Sequence, residues 1–407
     1  MEKFRKKSFT FDDVSDQDVG VKVSEVLELV LNHKSYDEFY KLLEIDTIKD
    51  DFISIPGAKK LVETMRIVNA KFEKFDLEST YNNLEFDTTD GFKITFKNIE
   101  NEEINQLTSS DEFTAVPIYS AQADFLSGLF SMEKYANKLM DNGHNDLVQY
   151  NLNRVKSIYE SSDNKAKKYR VLLDNEGNYF LRAITSKRYY DYNNNIAVFI
   201  GLITLHKEML SSKNKFIVQR CEYNESYVRT YFESLEEKEL PNVGYINNII
   251  EVSNDEVKRE AMRFSTVISL SYVSKEDKNI SLFIKPQRTK STILSIKHNE
   301  LPQTAFENLA MLVNYKEVQN ELFEDLKKIG EIKKPDQIKH IIRDKINRAR
   351  AGELKSSKNN ILSELTTQVK TITELLELLN KIELLTEDID SKEYLRYIIY
   401  EALVYRK

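Results

Sequence analysis

The spacing of hydrophobic positions changes along the chain, and each change marks a different kind of element. Near the start the spacing is helical: Val26, Leu27, Val30 and Leu31 follow Ser24, and Ser35 with Glu38 has the form of a capping box for a short helix through Leu43. After Pro56-Gly57, the positions Leu61, Val62, Met65 and Val68 predict a helix from Ala58 to about Phe72. From Leu84 to Ile99 the period drops to two. Phe92, Ile94 and Phe96 alternate with Lys93, Thr95 and Lys97 behind Asp90-Gly91, which predicts a hairpin. The polar run from Glu100 to Glu112 reads as a loop. Helical spacing returns at Phe125, Leu126, Leu129, Met132 and Tyr135, stops at Asn142-Gly143 and resumes from Leu147 to Ile158.

The middle reads as strands: Tyr169 to Leu173, a turn from Asp174 to Asn178 that holds Gly177, Tyr179 to Ile184, then Phe216 to Val218, Phe264 to Val273 and Ile280 to Ile284. Val198 to Leu205 fits a helix or a buried strand equally, because a short apolar run carries no period. Beyond Pro302 the pattern is helical. One helix opens at Ala305, Phe306, Leu309 and Leu312 and continues to about Ile329; Gly330 and Pro335 close it, and Asp336 caps the next. Gly352 to Asn360 separates a final pair, in which Leu362, Leu365, Val369, Ile372, Leu376 and Leu379 alternate spacings of three and four. That register fails at Glu383, which favours a helical hairpin or bundle, with contact between copies as the other reading. The expected class is α+β: a mixed central sheet with N-terminal helices and a C-terminal helical bundle or hairpin, divided at 1-119, 120-301 and 302-407.

Composition narrows the function classes. Hydrophobic residues at 41% and charged residues at 31% describe a soluble globular protein. No run approaches the about 20 apolar residues of a membrane span, and the opening MEKFRKKSFTFDDV lacks the apolar core of a signal peptide. The lone Cys221 excludes an intrachain disulfide and suits a cytoplasmic location; flanked by Arg220 and Glu222, it reads as a bystander thiol. The histidines His33, His144, His206, His298 and His340 lie far apart without metal-ligand spacing. There is no GxxxxGK[ST], GxGxxG or GxSxG, so neither a familiar nucleotide-binding or hydrolase site nor a cofactor is expected. A non-enzymatic role is the reading, with an unfamiliar enzyme as its alternative.

A net charge of -7 opposes wholesale wrapping by nucleic acid, so local charge decides. Between Lys165 and Leu205 the chain concentrates Lys167, Lys168, Arg170, Arg182, Ser186, Lys187 and Arg188 beside Tyr189 and Tyr190. Guanidinium groups grip phosphate bidentately, a hydroxyl adds a donor, and tyrosine rings offer faces to unpaired bases. The plainer reading pairs Arg182 and Arg188 with Asp174, Asp191 or helix C-termini to organise the fold. A second basic cluster, from Asp336 to Arg350, places Lys339, Arg343 and Arg350 along a helix flank; it reads as a solvated face or a second phosphate-contacting surface.

Two segments carry a family resemblance. YANKLMDNGHNDLVQYNLNRV (Tyr135 to Val155) has a short helix, a glycine turn and an Asn-Leu-Asn helix. In LRAITSKRYYDYNN (Leu181 to Asn194), the residues Arg182, Ala183, Ser186, Arg188, Tyr189 and Asn194 follow an Arg-Ala-x-x-Ser-x-Arg-Tyr-x-x-x-Asp-Asn pattern. Both resemble the phage and plasmid-like proteins of the domain-of-unknown-function family nine-three-two. A fainter echo spans Val243 to Leu270, where Ile249, Ile250, Glu251 and Val252 depart from that family's Asn-Ser-Glu-Val and no Cys-x-Asn-Gly follows. The resemblance implies a protein of a phage or mobile element and carries no reaction with it. Joined to the basic stretch, it sets the expectation of a nucleic-acid-associated protein of recombination or replication whose partner is single-stranded or double-stranded DNA. The alternative is an oligomeric structural or interaction protein, a virion component or host-defence antagonist, assembling through the C-terminal helices.

Overall fold

The computed structural model describes residues 2–89, 91–128, 130–159, 166–257, 260–274, 279–286, 291–301, 303–304, 315–354, 357–386 and 389–406. Their class is α+β, as expected, but the strands form two large sheets rather than one central sheet. In chain order the strands are β1 (Lys7–Thr10), β2 (Val21–Lys22), β3 (Phe52–Ile53), β4 (Phe72–Ser79), β5 (Leu84–Asp87), β6 (Lys93–Phe96), β7 (Phe113–Pro117), β8 (Lys167–Asp174), β9 (Tyr179–Thr185), β10 (Phe216–Tyr223), β11 (Tyr227–Leu240), β12 (Gly244–Asp255), β13 (Met262–Val273), β14 (Asn279–Ile284) and β15 (Thr292–Ile296).

The smaller sheet has the order β4-β8-β9-β7-β6-β5, with β4 at one edge; β7 and β9 run parallel and every other pair is antiparallel. Its β5/β6 hairpin is the one the alternation predicts, paired from Leu84↔Phe96 to Asp87↔Lys93. Phe86, Ile94 and Phe96 face a core shared with Phe125, Leu126, Val148 and Leu152 from helices Ala121–Gly128 and Asn145–Tyr159. The polar run after the hairpin is not all loop. Asn101 Oδ1 accepts from Ile104 N at 3.1 Å and starts a helix over Glu102–Thr108 that buries Ile104. The apolar spacing from Phe125 to Tyr135 is split between two helices, Ala121–Gly128 and Glu133–Asp141. Gly143, at φ +78, lets the chain turn into the next helix.

The larger sheet is wholly antiparallel, ordered β1-β10-β11-β12-β13-β14 with β15 also on β13. Two of its three longest strands, β11 and β12, escape pattern reading. Every residue of β12 from Ile246 to Asp255 is buried, so no solvent face exists to impose alternation. Helix Asn194–Ser211 resolves the ambiguity at Val198 to Leu205: it is apolar around its circumference and packs Phe199 and Ile203 into a core with Ile250 and Val252. The same core takes Val26, Leu61 and Met65 from the N-terminal helices.

Helices Tyr315–Leu326, Pro335–Arg348, Lys358–Glu364, Ile372–Leu384 and Ile389–Tyr400 cover the far part of the large sheet, where Leu326, Ile342, Leu379 and Ile399 meet Ile268, Leu270 and Ile284. The helix expected to open at Ala305 lies outside the described residues as far as Asn314. The stretch from Leu362 to Leu379 is two helices rather than one. The first ends at Glu364, and Thr371 opens the second with a capping box, its hydroxyl accepting from Glu374 N at 3.1 Å. Leu365, Val369, Leu376 and Leu379 are nonetheless buried within the chain, so this apolar face is already covered.

The cores do not follow the sequence-based divisions. A cut at 119 falls between β7 and β9, which pair, and residues from Phe9 to Met65 share their core with residues from Tyr192 to Ile296. Among the described residues no helix is long and apolar enough to cross a membrane.

Candidate functional site

The site begins with an irregularity in the smaller sheet. Arg170 pairs with Ala183 while the next residue, Val171, pairs with Leu181, so Arg182 is the extra residue of a β-bulge. A bulge re-aims its side chain out of strict alternation. Arg182 is 0% exposed; its Nη1 donates to Glu256 Oε2 at 2.7 Å and to Ser226 Oγ at 3.1 Å. Nε and Nη2 are enclosed and have no hydrogen-bond partner among the described residues.

Glu256 follows the last residue of β12 and is likewise 0% exposed. Its carboxylate accepts from Lys74 Nζ at 2.9 and 3.0 Å and from Asn194 N, at the start of helix Asn194–Ser211, at 2.9 Å. Its carbonyl accepts from Arg170 Nη1 at 2.6 Å and from the Tyr189 hydroxyl at 3.1 Å. Arg170 also donates through Nε to Asp76 Oδ1 at 3.0 Å and through Nη2 to the Asp191 carboxylate. Its guanidinium lies over the Tyr189 ring, 4.9 Å from the centroid, and His298 stacks on that ring at 4.7 Å with an interplanar angle of 4°. Two cations of the smaller sheet, Lys74 and Arg182, thus hold the carboxylate that follows β12, and a third, Arg170, holds the carbonyl of the same residue. The cluster is the electrostatic joint between the sheets.

Burial pushes the Glu256 carboxyl upward, but Lys74, Arg182 and Arg170 outweigh it and hold the group well below the usual carboxylate range. Burial pushes the Lys74 ammonium down, opposed by Glu256. His298 is pushed down to about 4 by burial and by Arg170. His33 is also lowered, by burial first. Its Nδ1 accepts from Ser35 N at 3.1 Å, so Nε2 carries the proton and donates to Asp191 O at 2.9 Å.

Above this cluster opens a cleft of about 730 Å³ between the start of β4, the N-terminal helices and the segment that enters helix Asn194–Ser211. That volume falls within the range of small-molecule sites, about 300–1,000 Å³. Lys74, Arg182 and Glu256 line it, with Phe72 and Phe75 beside them. The acidic residues at its floor are already engaged: Glu256 by Lys74 and Arg182, and both Asp76 and Asp191 by Arg170. Among the described lining residues, the enclosed side-chain atoms left without a partner are Arg182 Nε and Nη2. The unused capacity is donor capacity.

The basic stretch does not form one accessible face. Arg170, Arg182 and Tyr189 are buried, because neighbouring carboxylates and the bulge draw them inward. Lys168 donates to Tyr189 O at 2.9 Å. Ser186, Lys187 and Arg188 remain exposed, with Lys187 3.3 Å from Glu78, and Lys167 and Tyr190 are half-buried. Asp191 is a partner as anticipated, but for Arg170; Asp174 takes Lys3. In the second basic cluster Lys339 is 3% exposed and donates to Asp336 Oδ1 at 2.7 Å and Thr367 O at 2.8 Å, so it supports the helical fold rather than a phosphate surface. Pattern reading missed Lys74, Asp76 and Glu256. Glu256 follows a strand buried on both faces, which leaves no periodicity to mark it.

A second buried network joins the large sheet to helix Ile389–Tyr400: Lys285 Nζ reaches Glu251 and Glu393, each at 2.9 Å, and Arg229 reaches Glu393 at 2.7 Å. It lies away from the cleft and fastens that helix. Among the described residues no group of three His, Cys, Asp or Glu is placed to hold a metal ion. Compared with protein-family models, with curated proteins and with solved structures, the chain matches none.

Proposed function

We propose that this protein binds a phosphate-bearing ligand of the nucleotide or nucleic-acid class, taken up in the cleft over Glu256 rather than across the outer surface of the basic stretch. The observation that carries this reading is Arg182, fully buried at the cleft floor with the N–H donors of Nε and Nη2 unused. Enclosed donors without acceptors are unfavourable by about 1–3 kcal/mol each, so an acceptor-rich group is the occupant that relieves them. Phosphate matches a guanidinium bidentately, and Lys74 stands beside it with a side chain 20% exposed. The association with phage or mobile-element biology rests on the resemblance alone.

Calorimetric titration with nucleoside monophosphates and with a short 5′-phosphorylated oligonucleotide tests the reading. Saturable binding that weakens with salt and is lost in Lys74→Met supports it. Absence of binding, or binding indifferent to both Lys74→Met and Arg182→Met in folded protein, contradicts it.

A further inference from the structure

Resting on the phosphate reading of the cleft, we infer that its ligand is a single nucleotide, held by phosphate at Lys74 and Arg182 and by its base against Phe72 or Phe75, and not the interior of a nucleic-acid strand. Three features of the site separate these cases.

The first is depth. Arg182 and Glu256 at the floor are both 0% exposed. A phosphodiester inside a strand continues in two directions and cannot place its phosphate at the bottom of a recess, whereas a phosphomonoester ends there. The second is the rim. Glu28, paired with Arg66 at 2.7 Å, and Glu73 line it beside Lys34, so its charges balance and no cationic track draws a polyanion across the entrance.

The third feature is the aromatic flank. Phe72 and Phe75 bracket Lys74 on the edge strand β4, and both line the cleft while half-buried. Each is backed by another ring: Phe72 stacks on Phe4 at 6.1 Å and 27°, and Phe75 meets Phe113 edge-on at 5.7 Å and 77°. Rings fixed from behind offer their remaining surface at little entropic loss. Phe72 and Lys74 lie two residues apart on a strand, about 6–7 Å along its axis, a separation that a ribose bridges between base and phosphate.

A free nucleotide and the 5′-phosphorylated end of a strand share this chemistry, so the test carries both. Full-length protein is titrated with inorganic phosphate, ribose 5-phosphate, the nucleoside 5′-monophosphates, a 5′-phosphorylated oligonucleotide and a blunt duplex. The expected order places a nucleoside monophosphate about tenfold or more tighter than ribose 5-phosphate, with the duplex not bound. Phe72→Ala with Phe75→Ala removes that difference while leaving ribose 5-phosphate unchanged. Equal binding of ribose 5-phosphate and nucleotide overturns the single-nucleotide inference and leaves the phosphate reading standing; so does tighter binding of the oligonucleotide than of the monophosphate. Failure of every phosphate-bearing probe overturns the phosphate reading itself. Because Arg182→Met removes a partner of a buried carboxylate, Lys74→Met serves as the second variant. It keeps the Arg182–Glu256 pair and is expected to weaken all phosphate probes together; unchanged binding in it counts against both claims.

Discussion

Replacing Glu256 by alanine perturbs the joint between the sheets at its centre. The substitution removes the acceptor for Lys74 at 2.9 and 3.0 Å, for Arg182 at 2.7 Å and for Asn194 N at 2.9 Å. Lys74 is partly exposed and turns into the cleft, where water screens it, so its share of the loss is small. Arg182 is 0% exposed and keeps Ser226 Oγ at 3.1 Å as a neutral acceptor, and an uncompensated buried charge of this kind is unfavourable by about 3–5 kcal/mol. Glu256→Ala is therefore expected to destabilise by about that amount. Arg182→Met costs less, because Glu256 retains Lys74 and the Asn194 amide. The double variant Arg182→Met/Glu256→Met removes both buried charges and restores most of the loss, since a buried pair exchanged for apolar groups is often nearly neutral. Urea unfolding followed by far-ultraviolet circular dichroism and by tyrosine fluorescence measures the cycle; the chain has 22 Tyr and no Trp. A loss below about 1 kcal/mol for Glu256→Ala, or simple additivity in the double variant, would refute the view that this cluster is a buried, mutually dependent unit.

Two further outcomes follow from the same environments. His298 is neutral in the fold, with its pKa depressed to about 4 from 6.5, so the unfolded chain takes up a proton first as the pH falls. Its contribution is fully present above about pH 6.5 and is lost towards pH 4, about 2 kcal/mol by pH 5; His298→Gln should flatten the stability–pH profile in that window, and an unchanged profile would contradict the assignment. Cys221 is buried, with Thr230 Oγ1 3.6 Å from its sulfur, and burial pushes its thiol up to about 12. A thiol-specific disulfide reagent at pH 8 should leave folded protein unlabelled and label it fully in urea, whereas rapid labelling of the native state would show an accessible thiol.

Where one face of an element meets solvent, its pattern was readable. The β5/β6 hairpin and the strands β8 and β9 fall where alternation and the turns around Gly91 and Gly177 put them, and helix Ala58–Asn69 buries Leu61, Val62 and Met65 as its spacing requires. Where both faces are covered, the period disappears. In β12, Glu251, Ser253 and Asn254 are as buried as Ile249 and Val252, so polarity along the strand carries no information about direction. The site was half legible for a related reason. The basic stretch contains Arg170 and Arg182, but a count of cations cannot reveal that carboxylates at Asp76, Asp191 and Glu256 converge on them from elsewhere in the chain. The bulge at Arg182 also breaks strict alternation along β9, because it shifts the register by one residue between Arg170 and Val171.

The central claim is that the unused donors of Arg182 meet the phosphate of a nucleotide, and a crystal structure of the protein grown with a nucleoside 5′-monophosphate tests it most directly. The account predicts phosphate oxygens within hydrogen-bonding distance, about 3 Å, of Arg182 Nε or Nη2 and of Lys74 Nζ, with the base against Phe72 or Phe75. A cleft holding only water over Arg182, or a nucleotide bound elsewhere, would contradict it.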